Sequence, residues 1–255
     1  MYPIGVVSLF AELIDPVVQH GVVGRACERG LIEVLHESPR AFASDRHRTV
    51  DDRPYGGGPG MVLCYEPMRG AIGALRRKLP AGSRALVLSA QGRAFDGALA
   101  GELARAPGLL LVAGRYEGLD ERIIEAEELE EVSVGDYVLS GGELAAAIVI
   151  DAVARLLPGV LGHEESGLRD SHMHGLLGYP QYTRPEVVDG MAVPEVLLGG
   201  NHERIRRWRL KHALGRTWRR RPDLLQARVL SDEERELLAE YKVEAAVSEQ
   251  SSGIS

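Results

Sequence analysis

The sequence of 255 residues contains no run of 18 or more uncharged apolar residues. A membrane-spanning helix needs about 20 such residues, so we expect no membrane partner. The N-terminal segment MYPIGVVSLF lacks the basic start and the small-residue cleavage site of a secretory signal. The only two cysteines, Cys27 and Cys64, lie far apart and fit no metal-binding spacing. We therefore expect a cytoplasmic protein with two buried, reduced thiols.

Two phosphate-binding motifs are also missing. No G-x-G-x-x-G follows the first predicted strand, and no G-x-x-x-x-G-K-[ST] occurs. These motifs hold the pyrophosphate of dinucleotides and the phosphates of ATP against a glycine-rich backbone. NAD-dependent and ATP-dependent enzymes are therefore poor fits to this sequence.

The net charge of −7 argues against a nucleic-acid-binding protein, but the charge is distributed unevenly. Residues 179–230 contain eleven Lys/Arg and five Asp/Glu, a local charge of +6. The remainder contains 19 Lys/Arg and 32 Asp/Glu, a charge of −13. This asymmetry predicts an acidic body with one basic module.

Short apolar segments alternate with amphipathic ones along the first 160 residues. We predict strands at 4–9, 31–35, 84–89 and 109–113, and helices starting at Asp15 and covering 67–79, 95–106 and 143–157. This alternation predicts an α/β fold with a parallel sheet, whose ligands bind beyond the carboxyl ends of the strands. The acidic run at 125–131 is typical of a solvated helix face, and we give it no catalytic role.

Five glycines lie within residues 114–143, and predicted strands run into both of the clusters that they form. Glycines at strand ends indicate a close approach of the backbone to another backbone or to a ligand. Tight turns of a sheet are one interpretation. A tyrosine and a carboxylate beside each cluster favour a small-molecule site instead. A third loop, at 89–92, begins at the same predicted sheet edge.

Two further segments of the first 160 residues leave alternatives open. The long loop at 36–60 ends in glycine-rich sequence, which either contacts a phosphate or a base beside Arg53 and Tyr55 or forms a flexible surface loop. The helix at 143–157 is apolar nearly all round, which predicts burial in the core or in a subunit interface. Its Asp151 and Arg155 either pair with each other or leave Arg155 to project into the site.

Residues 160–178 show no periodicity and predict a linker that is disordered without ligand. Within them, Asp170, His172 and His174 form a D-x-H-x-H string that could be half a metal site. No second cluster of ligands is evident in the sequence, so we expect no bound metal.

The basic module is concentrated in residues 201–222, which carry nine Lys/Arg but only one acidic residue, Glu203. Leu210, Leu214 and Trp218 form the inner stripe of a helix that Asn201 caps, so the arginines point outward. A solvated basic helix is possible, but the imbalance of charge favours phosphate binding. A capping box at 231–234 starts a last helix to about residue 246. A disordered tail is expected at 247–255.

Several motifs match one family in combination. They are GGGPGM at 56–61, GRYEGLDERI at 114–123, SVGDYVLSGGE at 133–143, YTRPEV at 182–187, GNHERIRRWR at 200–209 and LGRTWRRRP at 214–222. Over about residues 4–240 the sequence resembles the bacterial tRNA (guanine-N1)-methyltransferases, the TrmD family of the SPOUT superfamily.

The resemblance implies an α/β domain with a deep trefoil knot that binds S-adenosylmethionine, and an antiparallel homodimer with a shared active site. The implied domains are a knotted catalytic domain at 1–160, a flexible loop at 161–178 and a helical tRNA-binding domain at 179–246, followed by the tail at 247–255. The implied substrate is the guanosine 3′ to the anticodon, position 37, preceded by another G, and the product is 1-methylguanosine. Assistance by Mg²⁺ is left open.

The resemblance also assigns residues. Asp170 is implied as the general base, and Arg155 as the charge that stabilises guanine O6. The implied cofactor-binding residues are Leu88, Ser89, Gly114, Tyr116, Glu117, Val134, Gly135, Asp136, Tyr137, Val138, Leu139, Gly141 and Gly142. The implied tRNA-binding residues are Arg53, Gly58, Tyr182, Arg184, Arg207, Arg209, Arg219 and Arg220.

Three positions depart from the family pattern. Ala90 and Ala145 stand where proline is common, and Gly178 stands where aspartate is common. Two other classes of function compete with the methyltransferase: a nucleotide-dependent enzyme with a phosphate-binding basic helix, and an RNA-binding protein without catalysis. The missing phosphate-loop motifs count against the first class, and the presence of both Asp170 and Arg155 counts against the second.

Overall fold

The structure is a computed structural model that describes residues 1–162, 171–172 and 175–252. The chain divides into two compact units, Met1–Glu164 and Glu165–Ser255. Two residues of the D-x-H-x-H string, Asp170 and His174, lie outside the described residues. Within the described ranges, no helix combines the length and the apolar character needed to cross a membrane.

The first unit is built on a five-stranded parallel sheet in the order β2-β1-β6-β5-β7. The strands are β1 (Tyr2–Val7), β2 (Ile32–Glu37), β5 (Arg84–Ala94), β6 (Leu109–Ala113) and β7 (Glu130–Ser133). A separate antiparallel pair is formed by β3 (Asp51–Asp52) and β4 (Val62–Leu63). All five residues of the central strand β6 are buried, as expected of an apolar run covered on both faces. The predicted α/β fold with a parallel sheet is confirmed.

Helices cover both faces of this sheet. They are α1 (Asp15–Gln19), α2 (Gly21–Glu28), α3 (Tyr65–Arg76), α4 (Gly97–Ala104), α5 (Glu121–Ala126) and α6 (Gly142–Ala154). Leu109 and Leu111 of β6 pack in the core that contains residues of α2, α4 and α6. Leu110 and Val112 point the other way, into the core shared with α3 and α5. The period of two along β6 therefore places one helical layer on each face.

The structure corrects three predictions for the first unit. The helix predicted from Asp15 is interrupted by extended backbone at His20. The Asp-Pro pair predicts Asp15 as the N-cap, but Ile14 occupies that position and Asp15 is the first helical residue. The turn predicted at 90–92 is a register shift inside β5, between Leu88 and Arg93. The two cysteines are free and only partly buried, and this burial raises the pKa of each thiol.

The acidic run at 125–131 is not one helix face. The helix α5 ends at Ala126 and β7 begins at Glu130. Glu127 lies 3.2 Å from Arg76, and Glu130 pairs with Arg84. These carboxylates therefore join neighbouring elements, which a count of acidic residues along the chain could not reveal.

Among its described residues, the second unit contains the antiparallel pair β8 (Val187–Val188) and β9 (Met191–Ala192), and the helices α7 (His202–Arg220), α8 (Pro222–Gln226) and α9 (Asp232–Ser252). Leu214 packs with Leu237 and Leu238 of α9, with Leu210 and Trp218 beside them. The predicted inner stripe of α7 is thus confirmed.

Local side-chain signals fix the starts of α7 and α9. The Asn201 side chain accepts a hydrogen bond from the Arg204 N–H at 3.1 Å. The Ser231 N–H donates to the Glu234 carboxylate at 2.8 Å, and the Glu234 N–H donates to Ser231 Oγ at 3.2 Å. Both predicted caps are confirmed. Helix α9 continues to Ser252, so part of the segment predicted as a disordered tail is helical.

Two glycines inside helices predict opposite effects of the same substitution. A Cβ at Gly215 of α7 would meet the ring of Tyr241, whereas a Cβ at Gly73 of α3 would meet only the Arg77 Nη1 atom at 3.6 Å. We expect Gly215→Ala to lower the free energy of unfolding by about 1–3 kcal/mol through overpacking. Gly73→Ala should raise it by about 0.5–1 kcal/mol, because alanine is the better helix former. Denaturant unfolding of the full chain measures both. Equal stabilisation by the two changes would show that Tyr241 does not pack on α7.

Candidate functional site

The carboxyl edge of the parallel sheet carries a cavity of about 350 Å³. Three segments form most of its wall: the middle of β5 at 87–91, the loop after β6 at 114–119, and the segment at 131–135 and 137–142 that follows from β7 into α6. The volume lies within the range of about 300–1,000 Å³ found for small-molecule sites. The three segments that we expected at this edge therefore surround one cavity, although the first of them is the irregular middle of β5 and not a loop.

Nearly all of the predicted cofactor-binding residues line this cavity. They are Leu88, Ser89, Gly114, Tyr116, Glu117, Val134, Gly135, Tyr137, Val138, Leu139, Gly141 and Gly142. Asp136 is exposed and is not among the lining residues. Ala90 and Ala145, the two positions where the family commonly has proline, also lie in the wall.

The loop after β6 has an unusual backbone. Tyr116 adopts φ = +59°, and Gly118 adopts φ = +127°. A positive φ is uncommon for a residue other than glycine, and such conformations concentrate at ligand sites. The Tyr116 side chain is 51% exposed beside the cavity. This backbone conformation therefore holds the Tyr116 ring at the cavity, although the ring is not packed in the core.

Gly141 and Gly142 allow two segments of main chain to touch. The Gly142 N–H donates to the Gly114 carbonyl at 2.8 Å. A Cβ at Gly142 would lie 2.8 Å from the Ala113 Cα atom and 2.9 Å from the Gly114 nitrogen. A Cβ at Gly141 would overlap the guanidinium group of Arg115. Both interpretations of this glycine pair therefore have support, because it packs against the backbone and also faces the cavity.

Sequence reasoning missed part of the wall. Glu121 and Glu131 line the cavity together with Glu117 and Arg115. Glu131 belongs to the acidic run that we treated as a solvated helix face. It lies inside β7, and only that position could have signalled its place in the wall. Three carboxylates against one guanidinium give the wall a negative balance, which suits a cationic ligand.

The glycine-rich loop at 51–61 is tied to the loop after β6. The Glu117 N–H donates to the Met61 carbonyl at 3.0 Å, and the Leu63 N–H donates to the Gly118 carbonyl at 2.9 Å. A Cβ at Gly60 would meet the Glu117 side chain. Arg53 and Gly58 are exposed elsewhere in this loop, and Gly58 adopts φ = +117° with open space around it. These bonds attach the base of this loop to a segment of the cavity wall.

Helix α6 separates Arg155 from the cavity. The helix begins at Gly142 in the cavity wall, and Arg155 is the residue after its last turn. Thirteen helical residues span roughly 20 Å at about 1.5 Å per residue. Arg155 is not among the residues that line the cavity. Within one chain, the structure therefore does not bring this predicted catalytic residue to the predicted cofactor-binding residues.

The basic helix α7 is better balanced by acids than its own sequence indicates. Arg206 pairs with Glu203 at 2.7 Å and with Glu233 of α9 at 2.5 Å. Lys211 pairs with Glu244 of α9 at 2.7 Å. Our premise that one acid faces nine bases is therefore wrong, because α9 supplies further carboxylates from more than 25 residues away.

The predicted tRNA-binding residues of the second unit differ in their surroundings. Arg207 lies 3.3 Å from Glu233, and the Arg209 guanidinium lies 4.9 Å from the centre of the Tyr179 ring. Tyr182 lies 6.3 Å from Trp208, measured between ring centroids, and remains half exposed. The other predicted residues, Arg184, Arg219 and Arg220, are exposed. Within the described residues, no three His, Cys, Asp or Glu side chains form a group that could hold a metal ion.

A parallel sheet with a loop-lined cavity at its carboxyl edge is the architecture of α/β ligand-binding enzymes. The family described as tRNA (Guanine-1)-methyltransferase TrmD matches residues 2–227 of the chain. The tRNA (guanine-N(1)-)-methyltransferase of Salmonella paratyphi A is 58% identical over 243 residues, 95% of each chain. Proteins of the same name from Salmonella typhi and Salmonella enteritidis share the same identity and coverage. The chain belongs to the tRNA (guanine-1)-methyltransferase TrmD family, and the predicted enzyme class is confirmed.

The contact between Gly142 and Gly114 predicts a specific sensitivity to one added methyl group. We expect Gly142→Ala to lower the free energy of unfolding by about 1–3 kcal/mol, because main-chain atoms cannot yield as a flexible side chain can. Gly97→Ala is the matched control, because Gly97 also begins a helix but has open space around a Cβ. Thermal and denaturant unfolding of both variants measure the effect. Unchanged stability of Gly142→Ala would contradict the close approach.

Proposed function

We propose that this enzyme transfers the methyl group of S-adenosylmethionine to N1 of the guanosine at position 37 of tRNAs with a preceding G, giving 1-methylguanosine. Family membership supports the tRNA substrate and the guanine N1 acceptor. The donor site is supported by one observation: the middle of β5 and two loops enclose a cavity at the carboxyl edge of the sheet. A tRNA substrate also favours a cytoplasmic location.

The residues of the cavity fit the donor chemically. Leu88, Val134 and Leu139 offer apolar wall for an aromatic base, and the glycine-rich loops offer main-chain polar groups. Glu117 and Glu131 supply negative charge for a ligand that carries a sulfonium and an ammonium group. When bound, S-adenosylmethionine supplies an electrophilic methyl group. The adjoining loops at 114–120 and 133–142 are the segments that we assign to a trefoil knot.

Proton removal requires a base, because guanine N1 carries a proton that the methyl group replaces. We assign this role to Asp170, in agreement with the resemblance to the family. A solvated aspartate with a pKa of about 3.9 is a weak base. Two effects can close the gap: burial on tRNA binding, which raises the pKa of the carboxyl group, and a cation near guanine O6. We assign Arg155 to the negative charge that develops at guanine O6, where a guanidinium group stabilises it.

The distance between Arg155 and the cavity supports a homodimer with a shared site. Roughly 20 Å of helix α6 separates them in one chain, and we infer that a second copy supplies one of the two. Leu144 and Ile148, one turn apart on α6, are 50% and 45% exposed. An apolar stripe of this kind on a helix at the cavity is suited to cover by a second subunit.

The second unit is proposed to hold the tRNA. Exposed Arg184, Arg219 and Arg220 can meet phosphates, and the half-exposed ring of Tyr182 can stack on a base. We keep the domain bounds 1–160, 161–178 and 179–246 as part of the proposal. The division of the chain between residues 164 and 165 supports a first boundary close to residue 160.

The test is methyl transfer from radiolabelled S-adenosylmethionine to a tRNA transcript with G at positions 36 and 37. We expect label at N1 of residue 37, and none when that residue is A. The Asp170→Asn variant should bind the donor as the unchanged chain does and lose nearly all turnover, because the amide cannot accept the proton. Absence of label on the G-G transcript would overturn the proposed reaction, and full turnover by Asp170→Asn would remove Asp170 as the base.

The role of the exposed arginines is tested through salt. Replacing Arg219 and Arg220 by alanine should weaken tRNA binding and reduce the slope of log K against log salt concentration by about one per lost phosphate contact. Arg235→Ala is the control, because that exposed arginine pairs with Asp232 within α9 and is not among the predicted tRNA-binding residues. Fluorescence anisotropy of labelled tRNA at several salt concentrations gives the slopes. A slope equal to that of the unchanged chain would show that neither arginine contacts phosphate.

A further inference from the structure

Glu143, in the first turn of α6, is a fully buried carboxylate, with 0% of its surface exposed. Acidic residues are almost never fully buried unless they are paired. Arg115 Nε donates to its Oε2 atom at 2.8 Å, and Ser8 Oγ donates to its Oε1 atom at 3.0 Å. Each carboxylate oxygen thus has its own donor, and the helix N-terminus adds a favourable field for negative charge.

The partners of Glu143 come from separate segments of the chain. Ser8 follows β1, Arg115 follows β6, and Glu143 itself follows the last cavity loop. The Ser8 hydroxyl also accepts from the Phe10 N–H at 3.0 Å, and the Arg115 guanidinium lies 4.6 Å from the centre of the Phe10 ring. One carboxylate therefore fixes three chain segments at the carboxyl edge of the sheet.

Arg115 carries this constraint to the cavity wall. It directly precedes Tyr116 and Glu117, and its Nη1 atom donates to the Ser140 carbonyl at 3.2 Å. It also lies against Gly141, where a Cβ would overlap it. Arg115 lines the cavity, whereas Glu143 does not. Any effect of Glu143 on a ligand must therefore pass through the loops that it holds.

We propose that Glu143 is a positioning residue for the methyl-donor site, because it locks the loop after β6 and the loop before α6 in one arrangement through Arg115. The proposal rests on the proposed function for the identity of the ligand. In Glu143→Gln the amide keeps the shape of the side chain and one acceptor oxygen. It loses the charge that holds the guanidinium, so the two loops are free to separate before the donor binds.

The measurement is calorimetric binding of S-adenosylmethionine to the full chain. We expect Glu143→Gln to raise the dissociation constant about 10-fold or more, because ordering the loops must then accompany binding. The dissociation constant for tRNA alone should stay within about two-fold. Arg115→Lys should weaken donor binding to a similar degree. One ammonium group cannot keep both the contact with Glu143 and the contact with the Ser140 carbonyl. Ser8→Ala removes only one donor and should raise the constant about three-fold.

The control for a lost ion pair is Glu37→Gln. Glu37 pairs with Lys78 at 2.7 Å, and neither residue lines the cavity. It should leave the dissociation constant for the donor within about two-fold of that of the unchanged chain. If Glu143→Gln and Ser8→Ala lower the melting temperature but bind the donor like the unchanged chain, the network serves stability alone and the proposal is overturned.

A second readout needs no donor. Amide hydrogen exchange of the ligand-free chain should accelerate in Glu143→Gln at residues 114–118 and 139–142 and stay unchanged in the strands. Unchanged exchange in both loops would overturn the positioning role. If the unchanged chain failed to bind S-adenosylmethionine, the proposed function would fail, and the exchange data would still decide whether Glu143 holds the loops.

Discussion

The architecture of the first unit depends on a direct contact between two segments of main chain. Gly142 donates to the Gly114 carbonyl at 2.8 Å, and the space between the segments does not admit a Cβ. This contact sets the start of α6 against the end of β6, so the apolar helix packs along one face of the sheet. It also aligns the loops on either side of it, and the cavity opens between them.

Charged side chains add to the effect of this contact on the cavity wall. The buried carboxylate of Glu143 neutralises Arg115 at the back of the wall, while Glu117 and Glu131 leave the cavity itself with negative balance. In the second unit, carboxylates of α9 pair with Arg206 and Lys211 and so neutralise part of the positive charge of α7. Exposed arginines outside that pairing, such as Arg220, are therefore better placed to meet phosphates than the total charge of the helix suggests.

The sequence predicted elements whose signals are local. The central strand β6 was predicted with its observed bounds, because five consecutive apolar residues have no alternative to burial. The caps at Asn201 and Ser231 were predicted because donor and acceptor lie within three residues. Interactions between distant segments could not be predicted in this way. Ser8 and Glu143 are 135 residues apart, and the pairing of Lys211 with Glu244 required the packing of α7 on α9.

The central claim is that the middle of β5 and the two loops at the carboxyl edge form one site for the methyl donor. A crystal structure of the chain with S-adenosylhomocysteine, the demethylated donor, tests it most directly. We predict ligand density enclosed by residues 88–91, 114–119 and 133–142, with the hydrogen bond between Gly142 and Gly114 intact. Density at any other place on the chain, with this cavity filled only by solvent, would contradict the account.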